Sequence, residues 1–289
     1  MLKILIVEGN TAEGREQMLA RDLPTQSGLY QSVLESLDTD LECHIAFPAD
    51  ANQPLPSLSD LKGYDGIAWT GSALNIYDHG PAIDNQIDFM KTCFAAQSLI
   101  FGSCWGLQVA TVATGGQVAA NEKGREIGIA RKIKVNEAGS NHALYSGKSD
   151  EFDAVAVHLD HVVELPEGAT VLSSNAISQV QAVEIIWDGS TFWGVQYHPE
   201  FDLEYIAGIL RKYGTTLVVE GFCESDSGLE EWASDFETVQ GNPERHDLAA
   251  KHNLGTDVTD NAVRWRELSN WLQFVRSEKS KLGSSSVLA

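Results

Sequence analysis

The 289 residues carry 41 acidic against 20 basic side chains, a net charge of −21, with 43% hydrophobic and 21% charged residues. That balance excludes the clustered Lys and Arg of a nucleic-acid footprint and disfavours an anionic membrane surface, while the apolar share suffices for a globular core. The acidic excess reads as a well-solvated surface, with attraction to a basic partner as the alternative.

Leu2 to Val7 is a short, continuously apolar run, as expected of a buried parallel strand, and it is too short for a signal-peptide core. A loop rich in Gly, Arg and Glu follows it. Ser27 to Leu37 then places Leu29, Val33, Leu34 and Leu37 on one helical face. Leu41 to Phe47 and Asp65 to Thr70 read as the next strands, ended by Pro48 and by Gly71-Ser72. Ile83 to Ala96 has helical spacing, Ser98 to Phe101 is a further strand, and Trp105 to Ala113 is a helix stopped by Gly115-Gly116. This alternation predicts an α/β fold, a doubly wound, mostly parallel sheet with helices on both faces.

From Arg125 to Val195 the runs shorten, at Ile127–Val135, Ala154–His158, Thr170–Ser173, Val183–Trp187 and Phe192–Gln196. Such a block adds an antiparallel layer or edge to the sheet. Phe201 to Tyr213 closes the first unit, residues 1–213, as a helix. Residues 214–289 read as a helical C-terminal extension, with Val263, Leu268, Trp271, Leu272 and Val275 at helical spacing and Gly283 to Ala289 as a tail. The extension serves as a packing appendage or homodimer element in one reading, and as a substrate lid in the other. No segment reaches the roughly 18–20 apolar residues of a membrane helix. The cysteines Cys43, Cys93, Cys104 and Cys223 form no CxxC pair, which suits a reducing, cytoplasmic compartment and offers neither a metal pattern nor a disulfide framework.

The chemistry concentrates in Gly102-Ser103-Cys104-Trp105-Gly106, a strand, a tight turn and a helix with small residues flanking a nucleophile. Taken alone, the pattern fits a structural cysteine beside glycines equally well. As a nucleophile, Cys104 would sit at a helix N-terminus, where the dipole is expected to lower its pKa and favour thiolate. A base and its orienting partner come from His198-Pro199-Glu200, two residues apart at a predicted strand end and so expected on one side. The oxyanion donors would be the N–H of Trp105 and that of Gly71, in the turn Thr70-Gly71-Ser72 at the same sheet edge.

Together these motifs resemble the class I, triad-type glutamine amidotransferases, and most closely stand-alone proteins similar to the glutaminase domain of GMP synthase. The resemblance spans roughly residues 1–213 and includes His158-Leu159-Asp160-His161 followed by Leu165-Pro166. It implies a catalytic set of Cys104, His198 and Glu200, with Ser72, Gln108, His158, Leu159 and Asp160 around the amino-acid end of the substrate. Leu159 stands where the GMP synthase pattern has glycine, and no ATP-pyrophosphatase sequence follows residue 213. The family chemistry needs no cofactor and no metal. It implies a small-molecule substrate, glutamine cleaved through a γ-glutamyl thioester, with ammonia passed to a separate synthetase. A γ-glutamyl peptide or amide hydrolase using the same triad is the alternative, and a non-catalytic binding protein on the same fold is a third.

Overall fold

In the computed structural model, which describes residues 1–286, eleven strands form along the chain. They are β1 (Leu2–Val7), β2 (Leu41–Ala46), β3 (Gly66–Trp69), β4 (Leu99–Ser103), β5 (Gln117–Ala120), β6 (Glu126–Val135), β7 (Glu151–His158), β8 (Asp160–Glu164), β9 (Ala169–Ser174), β10 (Ala182–Trp187) and β11 (Ser190–Val195). The main sheet runs β2-β1-β3-β4-β11-β10-β9-β6-β7. Its first five strands are parallel and the remainder pair antiparallel. The order reverses beside β1, and β4 lies centrally, so its carboxyl end opens into the crevice where such sheets bind ligands.

Alternation along the strands divides the interior into two cores. Leu2, Ile4 and Ile6 of β1 meet Tyr30, Val33 and Leu34 of the helix Gln26–Leu37. Leu5 and Val7 point the other way, to Phe89 and Met90 of the helix Pro81–Ala95 and Leu107 of the helix Trp105–Ala113. Helices therefore cover both faces. A third core forms where Ile129 and Val155 of the antiparallel half are covered by the helices Leu203–Tyr213 and Asp226–Gly241.

The C-terminal helix Arg266–Ser286 inserts Leu268, Trp271, Leu272 and Val275 into the core that holds Leu2 and Ile4. Trp271 is fully buried against Phe101, their ring centroids 5.9 Å apart. Gly66 makes room for it, since a Cβ there would stand 2.9 Å from the indole. The same helix supplies Glu267, buried in an ion pair with Lys148 at 2.7 Å and accepting a hydrogen bond from Tyr197 at 2.6 Å. Removing either charge would strand the other in the core.

Several local readings change. The loop after β1 contains a helix, Ala12–Leu19, whose single buried residue is Met18 and whose N-terminus is capped by Thr11 accepting from the Gly14 N–H. It has no apolar stripe for periodicity to find. The pair β5–β8 was equally invisible as a separate two-stranded sheet. Gly115, at φ +95°, ends the helix Trp105–Ala113, with the Gly116 N–H donating to the Thr111 carbonyl at 2.8 Å. Residues 283–286 continue the last helix rather than fraying, while 287–289 lie outside the described residues. Among the described residues no helix is long and apolar enough to cross a membrane.

Because Trp271 fills space between the sheet and the final helix, Trp271→Ala should cost about 3–5 kcal/mol. Urea unfolding would show this as a lower midpoint; an unchanged midpoint would mean the helix contributes nothing to the core.

Candidate active site

β4 delivers the chain into the helix Trp105–Ala113 through one residue, Cys104, at φ 48° and ψ −96°. A Cβ on Gly102 would stand 2.9 Å from both the Gly106 carbonyl carbon and the Phe192 ring, and one on Gly106 would stand 2.9 Å from the Trp69 carbonyl oxygen. Only glycine fits at either place without displacing backbone or a core aromatic. The left-handed turn is held by the Cys104 N–H donating to the Val195 carbonyl at 2.7 Å. Strain of this kind persists where its surroundings over-determine it.

The thiol differs from the sequence expectation. Cys104 is 5% exposed, and burial pushes its pKa up to about 12, with the charges of Glu200 and Asp160 acting in the same direction. The Trp105 N–H and the Gln196 side chain pull the other way but do not offset this. Desolvation of a thiolate outweighs the helix terminus, so the resting group is a neutral thiol and needs a base.

β11 ends at Val195, and His198 and Glu200 stand on the turn beyond it rather than on a strand. They meet all the same: His198 Nδ1 bonds Glu200 Oε1 at 2.7 Å. The imidazole is fixed further by its backbone N–H to the Val155 carbonyl at 2.8 Å and by stacking on Phe201, centroids 3.8 Å apart and 9° from parallel. Glu200 Oε2 accepts from Ser103 Oγ at 2.9 Å, and Ser103 in turn receives the Tyr30 hydroxyl. Ser103 has one proton and spends it on Glu200, so Tyr30 is the donor to Ser103. Burial, then the Glu200 charge, holds the Tyr30 pKa well above its ordinary value, which keeps that donor protonated. With Nδ1 committed to Glu200, the other imidazole nitrogen is left for proton transfer.

Gly71 packs directly against the imidazole: a Cβ there would stand 2.7 Å from His198 Cε1 and 2.8 Å from Gln26 Oε1. Among the described residues its N–H donates to no protein acceptor. The residues expected around the substrate do gather. Cys104, Ser72, Gln108, His158, Leu159 and Asp160 all line one cavity of about 240 Å³. Within it, His158 has both ring nitrogens engaged, one to the Asp160 carbonyl and one to Glu126, each at 3.0 Å. Its ring therefore braces the loop and has no nitrogen left over. Gln108 likewise holds the Asp160 carbonyl at 3.3 Å. Asp160 itself receives the Tyr77 hydroxyl at 3.0 Å; burial raises its pKa, opposed by Tyr77, His158 and Arg125.

Sequence reasoning missed Arg125 and Tyr213, which line the same cavity. Arg125 stacks on the Tyr213 ring at 4.5 Å and makes a paired contact to Glu220, Nε at 2.9 Å and Nη2 at 3.1 Å. Arg125 begins a strand-like segment far from the elbow, and Glu220 lies 95 positions further on. The one available signal was chemical: a cavity for an amino acid needs a cation for its carboxylate, and basic residues are scarce in this chain. Ser103 was in view only as the variable position of the elbow. Among the described residues, no three His, Cys, Asp or Glu side chains cluster as metal ligands would.

Comparison with known proteins agrees with this layout at the level of family and fold. The family model described as glutamine amidotransferase class-I matches residues 31–208. A γ-glutamyl-L-1-hydroxyisopropylamide hydrolase from a Pseudomonas species is 35% identical over 98% of this chain and 96% of its own length. One subunit of a glutamine-hydrolysing GMP synthase from Methanocaldococcus jannaschii is 30% identical over 55% of this chain and 78% of its own. A solved glutamine amidotransferase from Thermotoga maritima shares the fold, with a TM-score of 0.63 over 95% of this chain and 97% of that one at 15% identity.

A buried neutral thiol sets a testable reactivity. Alkylation of Cys104 by iodoacetamide should be slow at neutral pH and rise roughly tenfold per pH unit between about pH 8 and about pH 10. Peptide-resolved mass spectrometry separates it from the other cysteines. A rate already level at neutral pH would indicate a resting thiolate.

Proposed function

The chain belongs to the glutamine amidotransferase class-I family and is an amidohydrolase, and from that premise we propose that it hydrolyses γ-glutamyl amides through a cysteinyl thioester. The observation that carries this reading is the set of charges around the cavity that Cys104 lines. Cys104, Asp160 and Arg125 all line it, so one wall carries a nucleophile and two opposite charges. A γ-glutamyl group presents a carbonyl at one end and an ammonium with a carboxylate at the other. Asp160 takes the ammonium, Arg125 the carboxylate, and the γ-carbon rests beside Sγ.

His198 accepts the thiol proton as Sγ bonds to the γ-carbon, and Glu200 holds the resulting imidazolium. The N–H groups of Gly71 and Trp105 face the developing oxyanion. Collapse breaks the C–N bond, and His198 returns its proton to the departing amine. Water, activated by the same imidazole, then cleaves the thioester to glutamate and free thiol. Residues 1–213 carry this chemistry, and residues 214–289 brace it through Glu220 on Arg125 and Glu267 on Lys148.

Likeness along almost the whole chain to a γ-glutamyl amide hydrolase supports an amide with a substituted amine over glutamine itself. Ammonia release to a separate synthetase is the second reading, favoured by the likeness to one part of a GMP synthase, and it alone calls for an acceptor partner. Glutamate release from γ-glutamyl amides and from glutamine, measured side by side, separates the two. Turnover of glutamine with no cleavage of any substituted amide would sink the first.

Three variants report on the parts. Cys104→Ala should abolish turnover while the protein still folds. Ser103→Ala, which frees Glu200 from its buried donor, should lower kcat roughly tenfold with KM little changed, as expected for a hydrogen bond to a charge. Arg125→Met should act mainly on KM, raising it about tenfold or more through loss of a charge-assisted carboxylate contact. A KM unmoved by Arg125→Met would remove Arg125 from substrate recognition.

A further inference from the structure

A second, smaller cavity of about 30 Å³ adjoins the first, sharing Ser72, Ala73, Val157 and Tyr213 with it. His198 lines this one and not the larger. The group that must hand a proton to the departing amine therefore faces the small cavity, while the glutamyl side is already filled by Asp160 and Arg125. The amine half of the substrate belongs in the second space.

Its walls are unusual for this chain. Lys212, in the last turn of the helix Leu203–Tyr213, lines it half-buried and, among the described residues, makes no ion pair or hydrogen bond. Its neighbour Arg211 is tied to Glu230 and Glu237, so a free cation is not the rule on this turn. A helix C-terminus favours a cation but does not require it to be turned into a cavity and left unpaired. Burial, and then the nearby positive charge of Arg21, lowers the Lys212 pKa, which marks an ammonium short of a counter-charge. No carboxylate lines the space among the described residues, although the protein as a whole carries a net charge of −21. Gln26 is 8% exposed, lines the same cavity, and has a buried side-chain oxygen without a hydrogen-bond partner. That oxygen lies by Gly71, next to His198 Cε1, where the N–H of a scissile amide would arrive.

We propose that this cavity is the leaving-group subsite and that Lys212 selects γ-glutamyl amides whose amine part is a small amino acid bearing a carboxylate. The inference rests on the γ-glutamyl reading above. The unfilled space holds a few heavy atoms, the size of a carboxylate. The carboxylate supplies the charge that Lys212 lacks, and the Gln26 amide meets the polar atoms of the scissile bond. Ammonia, having neither carbon nor charge to place there, leaves Lys212 and Gln26 unsatisfied.

The test compares γ-glutamylglycine with γ-glutamylglycinamide, two substrates of one size that differ in the charge of the leaving group. In the wild-type enzyme the ratio of their kcat/KM values should favour γ-glutamylglycine by roughly tenfold, as a site built for a charged partner rejects its neutral analogue. Lys212→Met should bring that ratio close to unity, and Lys212→Arg should restore it. Because the readout is a ratio within each protein, partial loss of folded enzyme cancels. A wild-type ratio near unity, or one that Lys212→Met leaves unchanged while both amides are cleaved, overturns the subsite alone. Cleavage of neither amide overturns the γ-glutamyl reading and the subsite with it.

Discussion

The distance between β4 and the helix that follows it governs the rest of the site. With glycine at 102 and 106, the helix settles against Trp69 and Phe192 closely enough that no Cβ fits on either glycine. Closing that gap in one residue forces Cys104 to a positive φ, a conformation an L-residue adopts only under constraint. The same closeness exposes the first N–H groups of the helix at the sheet edge and brings the loops after β3 and β11 alongside. Gly71 and His198 are packed together there, and a methyl group on Gly71 would already touch the imidazole. Precision here comes from packing, and hydrogen bonds refine what packing has placed.

Burial then sets the electrostatics. A water-poor pocket suppresses ionisation of the thiol and makes the Glu200–His198 contact strong for the same reason. The two effects fall on different residues: Cys104, the proposed nucleophile, is held as a neutral thiol, while Glu200 accepts from both Ser103 and the imidazole. A resting thiolate would have needed a solvated or cationic setting, which this site lacks. Similar logic fixes Glu126, which gathers His158, Gln181 and Asn175 and so keeps the loop bearing Asp160 in place. Buried carboxylates organise the site from beneath, each with its acceptor positions filled.

How much of this the sequence discloses follows from the range of each interaction. The continuous apolar run Leu2–Val7 and the helical spacing in Ser27–Leu37 are local patterns, and both survive in the structure: the strand meets a core on each side, and Val33, Leu34 and Leu37 of the helix pack into one of them. The elbow is legible because all its requirements fall within five residues. The helix Ala12–Leu19 escapes because a cap and one methionine hold it, with no stripe to detect. The Cys104 pKa is misjudged because a dipole can be read from local order, while desolvation depends on everything packed around the sulfur. Arg125 and Lys212 escape for a related reason: nothing near them in the chain says that one meets Glu220 and that the other, among the described residues, lines a cavity without an ion pair.

The C-terminal extension connects these scales. Its last helix is set into the sheet's own core by Trp271 and locked by the Lys148–Glu267 pair, so it cannot leave without opening apolar surface and stranding a charge. Glu267 also accepts from Tyr197, the residue before His198, which ties the brace to the proposed base through one hydroxyl. Near the start of the extension, Glu220 clamps the guanidinium of Arg125 in the cavity wall. A bidentate clamp fixes the plane of a guanidinium, and a fixed plane recognises a carboxylate better than a mobile one. Residues after 213 are therefore packed into and bonded to the residues before them, from the sheet's core to the cavity wall.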